Sequence, residues 1–407
     1  MRMPVSSILV LSALAAHPLA GQTERGAFVV TLGKDTVVIE QYNRTRTTIT
    51  GDMLIRGAIV THRHYEGTLN ADGSMARFDM TNRNAGNPQA PITHFVATFG
   101  DTTIVEVQRD TVHNQLKVAT PGGALPFINI SYAMYELYGR RARATGKDTI
   151  VTLSMGANDV TRLVVKHPSR DSLTVAFEDD PPTLFTVNSD GLIQTVDGKL
   201  TTQKYLSKRL ASVDWTGLVA AFAAKPLGQL SPPDSVRTSV GGVAIAINYG
   251  RPSIRGRPVF GPDTDSPRPI VIWNQVWRTG ANFATRFTNS ADLVVGGQTI
   301  PAGTYTLWTI PSPSGWKLIF NKQTKAPCPA AGPCDPNRAN LWGTDYSADS
   351  DFVRVDMQVA AIDAPVEKFF ITVEPQGDGA VMAFAWEKAA GLGDARQEVT
   401  RSRRACT

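Results

Sequence analysis

Three arginines crowd into Asn248-Tyr249-Gly250-Arg251-Pro252-Ser253-Ile254-Arg255-Gly256-Arg257. A fourth stands in Val276-Trp277-Arg278-Thr279-Gly280-Ala281-Asn282-Phe283-Ala284-Thr285. Guanidinium groups are planar donor forks that match carboxylate, phosphate or sulfate. Arg251, Arg257 and Arg278 are therefore candidate anion ligands, with Asn282 and Thr285 adding directional hydrogen bonds. Tyr249 and Trp277 could supply aromatic walls of the kind that saccharide and planar-ligand sites use. If these side chains converge, the site takes an anionic or saccharide-like small molecule. The same arginines could instead pair with Asp345 and Asp351, beside Arg354, as an ion-pair network that holds the fold together. A third possibility uses Asp345 and Asp351 as a catalytic carboxylate pair, which would make a hydrolase of glycans or esters.

Other chemistry is sparse. The chain lacks a G-x-S-x-G elbow, an H-E-x-x-H helix, a phosphate loop and a dinucleotide fingerprint. All six histidines precede residue 168, so no histidine-based triad or metal site can form within the C-terminal half. His62 and His64 lie two apart in an apparent strand, which puts both on one side. They are weak metal candidates, with His94, His113 or Glu66 as third ligand; the alternative is a polar outer sheet face. No cofactor is expected. The binding reading leads, with the hydrolase and a purely structural envelope protein as alternatives.

The elements that must position these residues are short strands. Gly and Pro number 34 and 26 among 407 residues, concentrated at apparent turns. Alternating runs flank Gly33-Lys34-Asp35, Asp72-Gly73 and Asp190-Gly191, where both central turn positions favour positive φ. Gly146-Lys147-Asp148-Thr149 repeats the first of these almost letter for letter and reads as the same hairpin turn reused. Ser131 to Ala144 predicts a helix with Met134, Leu137 and Tyr138 on one face. Asp214 can cap a second, short helix from Trp215 to Lys225, ended by Pro226.

The organisation that follows is a signal peptide over 1–20 and an N-terminal antiparallel β domain over 21–210. A short helix and linker occupy 211–232, a C-terminal β domain 233–390 and a tail 391–407. The fold class is mostly β: an antiparallel meander or half-barrel with one helix, then a β-sandwich or jelly roll. Arg2, the apolar Ile8 to Ala16 and the small residues after it make the signal peptide. They imply a secreted or periplasmic protein. That run is shorter than the about 20 residues a bilayer span needs, so no transmembrane segment is expected. In an oxidising compartment Cys328 and Cys334 can close a disulfide around their Pro/Gly/Ala loop, while Cys406 stands apart. The net charge of +5 is scattered rather than gathered into a stripe, which argues against nucleic acid as partner.

The Tyr-Gly-Arg-Pro segment with its Gly256-Arg257 and the Trp277-Arg278-Thr279-Gly280-Ala281-Asn282 run carry a family likeness. So do the Ala302-Gly303-Thr304-Tyr305 hairpin, Leu341-Trp342-Gly343-Thr344-Asp345-Tyr346 and Asp351-Phe352-Val353-Arg354. Together, over roughly residues 230–390, they resemble the bacterial family catalogued as domain of unknown function 2911, which itself implies no activity. The stretch between Gly261 and Trp277 departs from that pattern. The N-terminal half resembles no family.

Overall fold

A computed structural model describes residues 23–155, 160–177, 180–201, 203–265, 268–325, 341–359, 362–376, 379–387 and 395–396. The expected signal peptide, the Cys328–Cys334 bridge, and the tail apart from 395–396 lie outside these residues.

Alternation of side chains builds the N-terminal domain. Fifteen strands join in one sheet. From Glu24–Leu32 each strand pairs antiparallel with the next as far as Val112–Ala119. The other edge of Glu24–Leu32 takes Leu206–Leu210, the last strand of a second run that leads back to Leu125–Phe127. The hairpins fall where the turn dipeptides place them, with Gly33, Gly73 and Gly191 at φ 57, 79 and 75°. Gly146 is different. At φ 65° it ends a helix rather than turning a hairpin, because a left-handed glycine also satisfies the last carbonyls of a helix. The near-repeat is thus one local conformation in two settings.

That helix, α1 (Tyr132–Thr145), is what the sheet encloses. Its consecutive residues 132 to 139 are all buried, which one-sided packing cannot achieve. The single apolar face expected from Met134, Leu137 and Tyr138 is therefore too narrow. Tyr132 packs edge-on against Phe28 from one run of strands and Phe185 from the other. Ala97, Val105, Ala124 and Leu153 form a smaller core near the two ends of the sheet, giving a half-barrel around α1.

Enclosing a helix that carries Glu136 requires compensation for a buried charge. Glu136 accepts from Tyr42 Oη at 2.6 Å, Arg209 Nη1 at 2.8 Å and the Ile193 amide at 2.8 Å, and Arg44 Nη2 lies 3.0 Å away. The second helix, α2 (Trp215–Phe222), begins where Asp214 accepts from the Gly217 amide at 3.0 Å and is shorter than expected. It lies over the outer face of the sheet, with Trp215 beside His62 and Phe222 beneath Arg56.

The C-terminal domain is a sandwich. A six-stranded antiparallel sheet runs in the order Pro233–Val240, Val243–Gly250, Thr285–Asn289, Gly303–Ser312, Gly315–Asn321 and Asp351–Met357. The hairpin of Val366–Gln376 and Gly379–Glu387 covers it. Ile247, Phe287, Leu307 and Phe320 from the large sheet share one core with Phe369, Met382, Phe384 and Trp386 from the hairpin.

Candidate functional site

The two arginine motifs meet through their glycines. An ideal Cβ on Gly250 would collide with the Ala281 carbonyl oxygen, and one on Gly280 would lie 2.9 Å from the Gly250 carbonyl oxygen. The strand end at Gly250 and the loop 278–282 therefore touch backbone to backbone. That loop is bent hard: Thr279 and Asn282 take φ 54° and 64°. A β-branched residue in the left-handed region is strained and needs anchors. Thr279 has them. Its hydroxyl reaches Thr309 Oγ1 at 3.2 Å, and its carbonyl accepts the Thr285 hydroxyl at 2.7 Å. Leu341 to Gly343 dock alongside: the Ala284 amide donates to Leu341 and the Gly343 amide to Asn282, both at 2.9 Å.

Not every candidate side chain reaches open space. Tyr249 is buried; its hydroxyl accepts the Ile371 amide at 3.0 Å and so pins hairpin to sheet. Arg251 pairs with Asp234 at 3.1 Å and donates to the Phe369 carbonyl at 3.0 Å. Thr285 is fully buried. Trp277 is a core residue, stacked on Trp386 at 5.7 Å, and shows only an edge to solvent. The expected network with Asp351 is not formed by these arginines. Asp351 binds Arg354 at 2.7 Å, the Tyr346 hydroxyl at 2.7 Å and Asn321 Nδ2 at 2.9 Å. Its position at the start of a strand commits it to that local cluster. Asp345 acts electrostatically on Arg278.

Arg257, Trp277, Arg278 and Asn282 do line a common cleft of about 1000 Å³. One wall belongs to the sandwich. The other is the rim of the N-terminal domain, with Leu32, Asn129, Lys204 and Tyr205. Arg257 donates to the Ser253 and Ile254 carbonyls at 2.6 and 3.0 Å, and Arg278 to the Asn282 carbonyl at 3.0 Å. Lys204 Nζ donates to the Lys199 carbonyl at 2.7 Å. Among the described residues, none of these three cations has a carboxylate within ion-pair distance. Burial pushes Arg257 down to about 10, with Arg255 adding repulsion against the pull of Tyr205 and Glu367. Burial does the same to Arg278, whose cation Asp180 and Asp345 only partly offset. Burial and then the charges of Arg268 and Arg257 bring Lys204 to about 8, against the opposing pull of Asp263. Exposed aromatic surface lies beside Arg278, where Trp342 packs edge-on against Phe283 at 5.2 Å.

Lys204, Tyr205 and Arg268 carried no sequence signal of their own. The one available hint was the stretch from Gly261 to Trp277 that departs from the family pattern, since Arg268, Ile270, Gln275 and Val276 all line the cleft. Arg255, within the motif, holds the domains together. It pairs with Asp35 at 2.8 Å, donates to the Leu227 carbonyl at 2.8 Å and accepts the Lys34 amide at 3.2 Å.

The histidines sit elsewhere, on the outer face of the N-terminal sheet. His62 Nε2 and His64 Nδ1 both contact Asp52 Oδ1, at 2.9 and 3.0 Å, and His64 Nε2 reaches Glu66 at 3.2 Å. Asp52 faces them because it lies opposite His64 in the strand register. His94 is taken by Asp79 at 2.7 Å. Among the described residues no group of His, Cys, Asp and Glu has metal-binding geometry. No described helix is long and apolar enough to cross a membrane.

The fold and cleft define a mostly β chain of two domains with a cation-rich cleft between them. Residues 231–391 match the family described as "Protein of unknown function (DUF2911)". No curated protein matches the chain. It is also similar to the crystal structure of a DUF1089 family protein from Pseudomonas aeruginosa, at 10% identity and a TM-score of 0.28, covering 47% of this chain and 97% of that one.

Proposed function

We propose that the protein is a non-catalytic binding module, exported from the cytoplasm, that holds an anionic, saccharide-like ligand in the cleft between its domains. The observation that carries this reading is the pair of half-buried guanidinium groups, Arg257 and Arg278, whose hydrogen bonds among the described residues go to backbone carbonyls. A desolvated cation that nearby carboxylates only partly offset is costly, and an anionic ligand would lower that cost. The exposed face of Trp342 next to Arg278 suits a sugar ring.

The test is thermal unfolding of the full chain with a panel of anionic saccharides, dicarboxylates and sugar phosphates, for wild type and Arg278→Ala. A ligand should raise the wild-type midpoint. The variant should keep its unliganded midpoint within a few degrees and lose that shift. An unshifted wild type together with a collapse of the variant's midpoint would instead make Arg278 part of the scaffold.

A further inference from the structure

The cleft reading leaves open which part of a ligand goes where, and the cations are not evenly spread. Arg278 lies in the loop that carries Asn282, beside Gly343 and Trp342. At the other corner Lys204, Arg257 and Arg268 gather, and the charges of both arginines act on Lys204. Arg268 pairs there with Asp263, the acid that opposes them at Lys204, and donates to the Leu200 carbonyl at 3.3 Å. Lys204 thus has two cations and one carboxylate acting on it, which leaves its surroundings net positive, while Glu367 and Arg255 act in opposite directions on Arg257. Lys204 is also conformationally held. It takes φ 60°, uncommon for a residue with a Cβ, and is nearly buried. Its Nζ donates to the Lys199 carbonyl and has two further protons to give. A strained, buried lysine kept beside two arginines, with Asp263 as the acid opposing them, is an arrangement that a further negative group would stabilise.

Resting on the reading above, we propose that this corner is a subsite for a dianionic tetrahedral oxyanion. There Lys204 from the N-terminal domain and Arg257 and Arg268 from the C-terminal domain hold the phosphate monoester of a phosphorylated saccharide. Three cationic donor groups, two of them guanidinium forks, match the oxygens of a tetrahedral dianion better than the two oxygens of a planar carboxylate. The ligand spans both domains, and Lys204 selects for its phosphate. Lys204 has its ammonium lowered to about 8 by burial and then by Arg268 and Arg257. Oxyanion binding therefore weakens above that pH as the free protein loses the proton.

The experiment is calorimetric titration of the full chain with sodium sulfate, a stand-in that stays dianionic across the range, and with inorganic phosphate. Lys204→Met should weaken sulfate binding by at least about tenfold while leaving the melting temperature unchanged or raised, since a repelling charge is removed. Lys204→Arg should retain binding. Wild-type sulfate affinity should fall about tenfold per pH unit above pH 8, and that of Lys204→Arg should not. Equal sulfate affinity in wild type and Lys204→Met, or no sulfate or phosphate binding by wild type at millimolar concentration, overturns the proposal. Arg278→Ala separates the two readings. Saccharide shifts that Arg278→Ala abolishes, without any sulfate binding, keep the cleft and discard the corner. Sulfate binding that Lys204→Met abolishes, without any saccharide shift, keeps the corner and discards the saccharide.

Discussion

Glu40 offers the sharpest test of the N-terminal core. It is fully buried in the strand Asp35–Arg44, facing the start of α1. Its carboxylate accepts from the Ser131 hydroxyl at 2.5 Å, the Tyr65 hydroxyl at 2.9 Å and the Ala133 amide at 3.3 Å. A neighbouring strand thereby supplies the cap that Ser131, at the N-cap position, does not make itself. Burial raises its pKa and these donors lower it; burial wins, and the carboxyl is pushed up to about 7 from an ordinary 4.5. A raised folded-state value means that the folded chain holds the proton longer than the unfolded chain. Glu40's contribution to stability is therefore whole below pH 4.5 and is lost as pH rises towards 7. The loss totals roughly 3 kcal/mol at 1.36 kcal/mol per unit. Glu40→Gln keeps the shape and an accepting oxygen but cannot ionise. Urea unfolding of both proteins from pH 4 to 8 should show the variant gaining on wild type by that amount across the window, and flat differences on either side. A carboxyl carbon resonance titrating near 7 would be the direct observation. A stability difference independent of pH would refute the reasoning. It would mean that three donors and the positive end of α1 outweigh burial and keep Glu40 ionised throughout.

Two further outcomes follow from geometry. Gly250→Ala should lower the melting temperature of the sandwich, by about 1–3 kcal/mol or more in stability, because its methyl meets the Ala281 carbonyl oxygen; an unchanged melting curve would mean that the two motifs do not touch there. On the outer sheet face, burial lowers the His64 pKa but the bonds to Asp52 and Glu66 outweigh it, so the net shift is upward. His64 therefore stabilises the fold at pH below its ordinary value and loses that contribution as pH rises through the raised one. Asp52→Asn should bring its imidazole titration back down, read from ring-proton shifts, and an unmoved titration would remove Asp52 as the cause.

What could be read from the chain was local. Asp72-Gly73 and Asp190-Gly191 mark their hairpins because a turn with positive φ is a property of adjacent residues, and period-two alternation extends outward from it. α1 was legible as a helix but not as an enclosed one. Glu136 sits among its apolar positions and reads as solvent-facing. Its partners Arg44 and Arg209 lie 92 and 73 positions away, so only the closed sheet reveals the compensation. Lys204 was silent for the same reason. What makes it unusual is its closeness to Arg257 and Arg268, which belong to the other domain.

The arginine motif shows why residue type alone could not decide between network and ligand site. Its three guanidinium groups have three different roles within seven residues. Arg251 meets Asp234 and a hairpin carbonyl, and so stabilises the sandwich. Arg255, itself at φ 50°, reaches back to Asp35 and Leu227; a Cβ on Gly33 would strike the Arg255 carbonyl, so the N-terminal turn is shaped to receive it. Arg257 is left with the Ser253 and Ile254 carbonyls and the open cleft. The network and the site are therefore not competing descriptions of one cluster. The first two arginines fix the sandwich and its contact with the half-barrel, and that contact brings Lys204 to the third. A ligand bound to Arg257 and Lys204 would be sensitive to Arg255 without touching it.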